Sequence, residues 1–306
     1  MTREYQDGPK FPSRRFRVRV HPSRPSRLAL LAVTILLLAG AVRGQDDPSL
    51  RTPQGNPPSR FMRIVKSEDG TSGSLDLAIV RYGRAGHPPS DPTVDLISVV
   101  HMADGNFYQK INEMLPSYDV VLYEFVAPDS TANPDAISRE DESDGHRAYR
   151  AVEELMGFAD QLDCIDYNQP NMLHADLTQD SLRRLLEEQG EKFPEFEALT
   201  SAVSAMQEAG VEMDARTRCK IRRLAAAKLM KTKSDSELFR EIAILPRNAH
   251  ALRILGAQLR AGKKKIAIIY GAAHMPDLQE HLSTDFHMQP LKRRWLRAWD
   301  LCAMGE

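Results

Sequence analysis

The apolar residues of this chain fall into short continuous runs and longer helical patterns. LISVV (96–100), DVVLYEFV (119–126) and IAIIY (266–270) are rich in β-branched residues and bounded by polar ones. Such runs are expected of strands covered on both faces. Upstream, FMRIV (61–65) and LDLAIVRYG (75–83) flank SEDGTSGS, which reads as a strand, turn, strand hairpin. GRAGHPPSDP then reads as a loop. Between the first two buried runs, Phe107, Ile111, Met114 and Leu115 share one helical face, with Asn106 as candidate cap. Residues 96–126 therefore predict strand, helix, strand.

From about 143 to 262 the pattern is mostly helical. Ser181 opens SLRRLLEEQG and Gly190 stops it. Leu199, Val203 and Met206, then Ile221, Leu224 and Leu229, continue the pattern with a break near Gly210. Leu238, Ile242, Leu245, Leu252, Leu255 and Leu259 follow at helical spacing. Pro246 must kink or split that last segment, because it lacks a backbone donor and clashes with the preceding turn. Gly262 suits its end. After the third buried strand, MPDLQEHL predicts a short helix and DFHMQPLKRRWLRAWDL a return as strands. The expected fold is α/β: a central, mostly parallel sheet flanked by helices. Two pseudo-related halves, each with a strand ending in histidine, frame a helical insertion, and the domain spans 61–303.

The N-terminus has a different character. Arg14, Arg15, Arg17, Arg19, Arg24 and Arg27 precede an apolar run from Leu28 to Val42. That run is short of the roughly 20 residues a spanning helix wants. A basic region, a short apolar region and small residues near Gly44 read as a signal peptide over 1–44, cleaved before Gln45. The alternative is an uncleaved N-terminal anchor. Residues 45–60, Pro-rich and polar, read as a disordered linker. Either way the domain is expected outside the cytoplasm, in the periplasm or cell envelope, or secreted.

Charge changes once the leader is set aside. The whole chain carries 41 Lys and Arg against 42 Asp and Glu; without residues 1–44 the count is 32 against 40, a net charge of −8. An acidic body argues against general nucleic-acid binding and against docking on an anionic membrane. Any membrane association is expected only through an uncleaved N-terminal segment. Cys164, Cys219 and Cys302 lie far apart without a CxxC, so they read neither as a disulfide framework nor as a zinc motif. Whether they pair is left open.

Candidate chemistry gathers at strand ends. LISVV leads into His101 and then Asp104, VVLY into Glu124, and IAIIYGAA into His274. Ligands in open α/β sheets sit outside the carboxyl ends of the strands. If the three strands are parallel neighbours, two imidazoles and a carboxylate share one cleft. That set can hold a divalent metal such as Mn, Co or Zn, or run acid–base chemistry without one. Gly271 lets the backbone turn and a ligand approach. Arg247 and Asn248, after Pro246, would aim a cation and an amide into the cleft. Asp176 is either a helix cap or a site acid. A single histidine after a strand is more often structural, whereas a carboxylate in an apolar strand needs a partner. His281 and His287 read as surface residues, and the acidic run 141–144 near His146 as a solvated loop. There is no HExxH, GxSxG, P-loop or GxGxxG, which removes common protease, hydrolase and nucleotide-binding readings.

LPRNAHALRILGAQLRAGKKKIAIIYGAAHMPDLQEHL resembles the second half of the TraB/TIKI proteins, where an Arg-Asn pair opens a helix and a Gly-x-x-His turn follows a strand. ISVVHMADGNFYQKINEMLPSYDVVLYEFV resembles the first half. The similarity runs over roughly 60–300 and is sharp in those two blocks. The wider superfamily includes ChaN-like and erythromycin-esterase-like proteins. In TIKI-like members, paired GxxH motifs are linked to metal-dependent proteolysis, and the matching positions here are His101, Glu124, Arg247 and His274. The first motif departs from the pattern, with Ser98 where the family has Gly.

The resemblance implies an exported metal-dependent hydrolase acting on a peptide or small molecule in the envelope. His101 and His274 would hold the ion. Glu124 would be a ligand or the base, and Arg247 would stabilise oxyanion charge. Asp104 and Asp176 would be outer ligands or supports. Two alternatives use the same scaffold: an envelope haem- or iron-binding protein using these histidines with Tyr270 or Met102, and a non-catalytic interaction protein.

Overall fold

The computed structural model describes residues 61–67, 73–86, 88, 90–128, 132–134, 144–188, 214–231 and 240–302. The signal segment and linker expected over 1–60 lie outside the described residues, as do Gly190, Leu199, Val203, Met206, Gly210, Leu238 and the acidic run 141–143.

In chain order the elements are β1 (Met62–Lys66), β2 (Gly73–Gly83), β3 (Thr93–Val99), β4 (Met102–Ala103), α1 (Gly105–Asn112) and β5 (Val120–Tyr123). There follow α2 (Asp144–Met156), β6 (Ala159–Asp160), α3 (Gln161–Cys164), β7 (Met172–His174), α4 (Gln179–Glu188) and α5 (Ala215–Lys231). The described chain closes with α6 (Leu245–Arg260), β8 (Lys265–Gly271), α7 (Met275–Thr284) and β9 (Gln289–Asp300). The α/β class expected from the apolar pattern is the class observed.

Among the described residues, seven strands form one mixed sheet. Its parallel half runs β3, β8, β5, β7. β1, β2 and β9 add antiparallel strands beyond β3, and β9 pairs along nearly the whole of β2. Alternation along each strand supplies two cores. Ile97, Val99, Val121, Tyr123, Ala267 and Ile269 face one side, under α1 through Phe107, Tyr108 and Ile111. Leu96, Leu122, Ile266, Ile268 and Tyr270 face the other, under α6 and α7 through Leu252, Leu255, Met275 and Leu278. Burial on both faces is why these strands read as unbroken apolar runs rather than alternating ones.

Local details depart from the sequence expectations in instructive ways. The cap of α1 is Asp104, two residues ahead of Asn106, which lies inside the first turn. The strand expected over 119–126 stops at Tyr123, so Glu124 lies just past its end. α4 begins at Gln179, with the Thr178 hydroxyl accepting from the Ser181 amide. Pro246 splits the last helical segment: a π-helical turn over Arg240–Ile244 precedes it and α6 starts at Leu245. Gly262 ends that helix at φ +83°, a conformation that glycine adopts without penalty. Cys219 on α5 and Cys302 after β9 form a disulfide, a pairing the spacing did not reveal, while Cys164 is free. No helix among the described residues is long and apolar enough to cross a membrane.

The connections create the cleft. β8 inserts between β3 and β5, so the β3–α1–β5 crossover passes over it. The chain leaving β3 turns to the α1 face, and the chain leaving β8 turns to the α7 face. Adjacent parallel strands whose connections part to opposite faces open a crevice at their carboxyl ends. His101 and His274 flank that point.

Candidate active site at the carboxyl edge

Three elements bring the principal groups together. β5 delivers Glu124 directly after its last residue, the turn after β8 delivers His274, and the first turn of α6 delivers Arg247 and Asn248. Arg247 forks onto Asp176, with Nε to Oδ1 at 2.9 Å and Nη2 to Oδ2 at 2.6 Å. Nη2 also donates to Glu124 Oε1 at 2.5 Å. Glu124 Oε1 stands 3.4 Å from His274 Nε2, and Oε2 accepts from the Gly271 backbone amide at 2.5 Å. Arg247 Nη1 reaches His274 Nε2 at 3.5 Å, a distance at which the bond is weak, so Nη1 is the arm of the fork with donor capacity to spare.

These groups are almost closed to water: side-chain exposure is 0% for Asp176, 4% for His274, 9% for Glu124 and 12% for Arg247. Little solvent is present to screen the charges. Burial by itself would raise the Glu124 carboxyl; His274 and Arg247, with a smaller contribution from His101, outweigh it and hold the group well below the usual carboxylate range. Burial would lower the Arg247 guanidinium, but Glu124 and Asp176 keep it firmly charged.

Asn248 sets the chemistry of the imidazole. Its Nδ2 donates to the His274 carbonyl at 3.1 Å and to Asp277 Oδ2 at 2.8 Å, both acceptors. The amide is thereby oriented, and Oδ1 faces His274 Nδ1 at 2.7 Å. Nδ1 must carry the proton, which assigns Nε2 as the nitrogen that gains or loses one. The ring also sits edge-on to Tyr270, centroids 5.1 Å apart. Gly271 allows a close approach: a Cβ there would lie 3.3 Å from Glu124 Oε2, so that the carboxylate would have to shift, and 3.8 Å from His274 Cδ2.

The other candidates divide. His101 is exposed at the end of β3, where its carbonyl accepts from the Gln161 amide, and it is near enough to lower Glu124. Asp176 is the fully buried counter-ion of Arg247. Asp104 is not brought to the group: it holds Arg222 and the Asp300 amide. Tyr270 spends its hydroxyl on the Ala175 carbonyl. Ser98, the departure in the first motif, is 1% exposed with a hydroxyl lacking a partner among the described residues. The apolar pattern does not single out His174, which closes β7, because its run is too short to stand out as a strand. Its Nε2 bonds the Phe125 carbonyl at 2.7 Å.

An imidazole nitrogen and a carboxylate suit Zn, Mn or Co, and their 3.4 Å separation is about the span of two adjacent ligands ~2.1 Å from one centre. Nδ1 bonded to Asn248 and Oε2 bonded to Gly271 match the outer bonds that orient metal ligands. Arg247 shares the Glu124 oxygen, however, and among the described residues no three His, Cys, Asp or Glu side chains are grouped as for an ion. The pair fits; a third donor would have to come from His101 or solvent.

No known protein family and no curated protein matches the chain.

Proposed function

We propose that this chain is an exported hydrolase, acting on a peptide or small ester-like substrate at the carboxyl edge of β3, β8 and β5. The observation that carries the reading is the oriented His274: an imidazole with Nδ1 tied to Asn248 and Nε2 presented to the Glu124 carboxylate, 3.4 Å away. An oriented base next to a carboxylate is the arrangement that hydrolytic acid–base catalysis uses. In its neutral form Nε2 takes a proton from water. The imidazolium so formed is stabilised by Glu124, whose own proton affinity is suppressed. Arg247 Nη1 offers an N–H to the oxyanion that develops as water adds to a carbonyl. His101, exposed beside this group, would give a proton to the leaving group. Should a divalent ion bind, His274, Glu124 and His101 would hold it, and it would supply Lewis acidity and a more acidic water. The disulfide between Cys219 and Cys302 supports export, since such bonds persist in oxidising compartments.

The test is hydrolysis of chromogenic esters and a fluorogenic peptide set by the purified chain, metal-stripped and with Mn²⁺, Co²⁺ or Zn²⁺ restored. The expected outcome is turnover that His274→Gln and Glu124→Gln each reduce by at least ~100-fold. Absence of turnover in every condition, or full activity in both variants, would sink the proposal. Activity requiring an added ion would select the metal-assisted form.

A further inference from the structure

β9 is the outermost strand of the antiparallel half, and β2 is its only strand partner among the described residues. Beyond Arg297 its outer edge is closed: the Asp104 amide bonds the Ala298 carbonyl, and Asp104 accepts from the Asp300 amide. From Gln289 to Arg297 the outer edge makes no further backbone bond among the described residues. Along that stretch Lys292, Arg293, Arg294 and Arg297 are all exposed, and none makes an ion pair among the described residues. The nearby Arg63 and Arg81 differ, being matched by Asp76 and Asp95.

The cations lie on both sides of the sheet. Lys292 and Arg294 stand opposite Arg81 and Ile79, on the side of the α1 core. Arg293 stands opposite Val80, on the side of the α6 and α7 core, and Arg297, next to Leu296, also turns to that side. A flat anionic surface would meet only one of these rows. Pairing with the β9 of a second copy would set like charges against each other, which is unfavourable. An extended peptide satisfies both demands. Its backbone matches the open amides and carbonyls, and consecutive side chains point alternately to the two rows.

We propose that the open edge of β9 from Gln289 to Arg297 binds an acidic, extended polypeptide segment as an added strand. Carboxylates at consecutive positions would meet Lys292 and Arg294 on one face and Arg293 and Arg297 on the other. The site lies outside the carboxyl-edge cleft and does not depend on the hydrolase reading.

The probe is a short Glu-rich peptide titrated onto the full chain at low and moderate salt, followed by Trp295 fluorescence and by hydrogen exchange of the 291–297 amides, Pro290 having none. Saturable binding is expected, with slowed exchange in that stretch and affinity falling as salt rises. Reversal in Lys292→Glu/Arg294→Glu, and separately in Arg293→Glu, should weaken binding at least about tenfold. The same peptide with alternate residues replaced by proline should fail to bind. If the proline peptide, inorganic polyphosphate or phosphatidylserine vesicles bind equally well, the strand-addition proposal is overturned in favour of a bare charge patch. If the Glu-rich peptide does not bind and the reversal variants self-associate on size exclusion, the cations serve only to keep the edge unpaired.

Discussion

Replacing Arg247 by Met tests the network at its centre. The substitution keeps much of the aliphatic stem and removes the guanidinium that Glu124 and Asp176 share. Both carboxylates then lie buried without their cation. Each retains one backbone donor, the Gly271 amide for Glu124 and the Leu177 amide for Asp176. Breaking a buried pair by removing one partner costs ~3–5 kcal/mol, and two carboxylates compete for what remains, so the upper half of that range is expected at pH 7. The pH dependence is the sharper signature. In the native protein the Glu124 pKa is depressed below its unfolded value. Its contribution is therefore present above the unfolded value and lost as pH falls through the folded one. In Arg247→Met, His274 still faces Glu124 but the guanidinium is gone, so the depression of the Glu124 carboxyl is smaller. The variant therefore loses less stability than the native chain as pH falls from 7 through the carboxylate range. Urea denaturation at pH 7 and at about pH 4, just under the unfolded carboxylate value, followed by far-UV circular dichroism, measures both effects. If the variant matches the native chain at pH 7 and shows the same pH slope, the guanidinium is not what neutralises these carboxylates and the site argument fails.

Further outcomes follow from other parts of the molecule. Reducing Cys219–Cys302, or changing both residues to Ser, removes a cross-link over 83 residues; chain entropy puts the loss at about 4.5 kcal/mol, read from the urea midpoint, and an unchanged midpoint would contradict it. Thiol titration of the unreduced, denatured chain should find only Cys164. Ser98→Ala removes a buried hydroxyl without a partner among the described residues and should leave stability unchanged or raise it by ~1 kcal/mol; a marked loss would reveal a partner for Oγ. Gly271→Ala places a methyl against the Glu124 oxygen that the backbone amide holds, so the proposed hydrolysis should fall far more than the melting temperature. Asn248→Leu should shift the ¹⁵N signals of His274 away from the Nδ1–H tautomer, and unchanged signals would mean that another group sets it.

Much of the fold is legible in sequence because burial leaves a local imprint. Runs such as LISVV and IAIIY carry no polar alternation because both sheet faces are covered, and that signal needs no knowledge of neighbours. Pro246 and Gly262 mark the two ends of α6 for equally local reasons, a missing donor and a left-handed turn. His101, Glu124 and His274 could be singled out because polar residues closing apolar strands stand out.

Their partnership could not be read the same way. That Glu124 meets His274 depends on β8 entering between β3 and β5, which no stretch of sequence announces. The fork from Arg247 to Asp176 spans 71 residues, and the orientation of Asn248 depends on Asp277 one helix later. Asp104 looked like a site acid, yet tertiary contacts turn it to Arg222 and the end of β9. The cysteine pair likewise follows from where α5 packs, not from spacing. Periodicity and breakers are properties of neighbouring residues, so the chain alone determined the long buried strands, the two ends of α6 and the residues able to carry chemistry. Which of them meet was decided by strand order and helix packing, because a buried charge takes as partner whatever the assembled fold brings within hydrogen-bond reach.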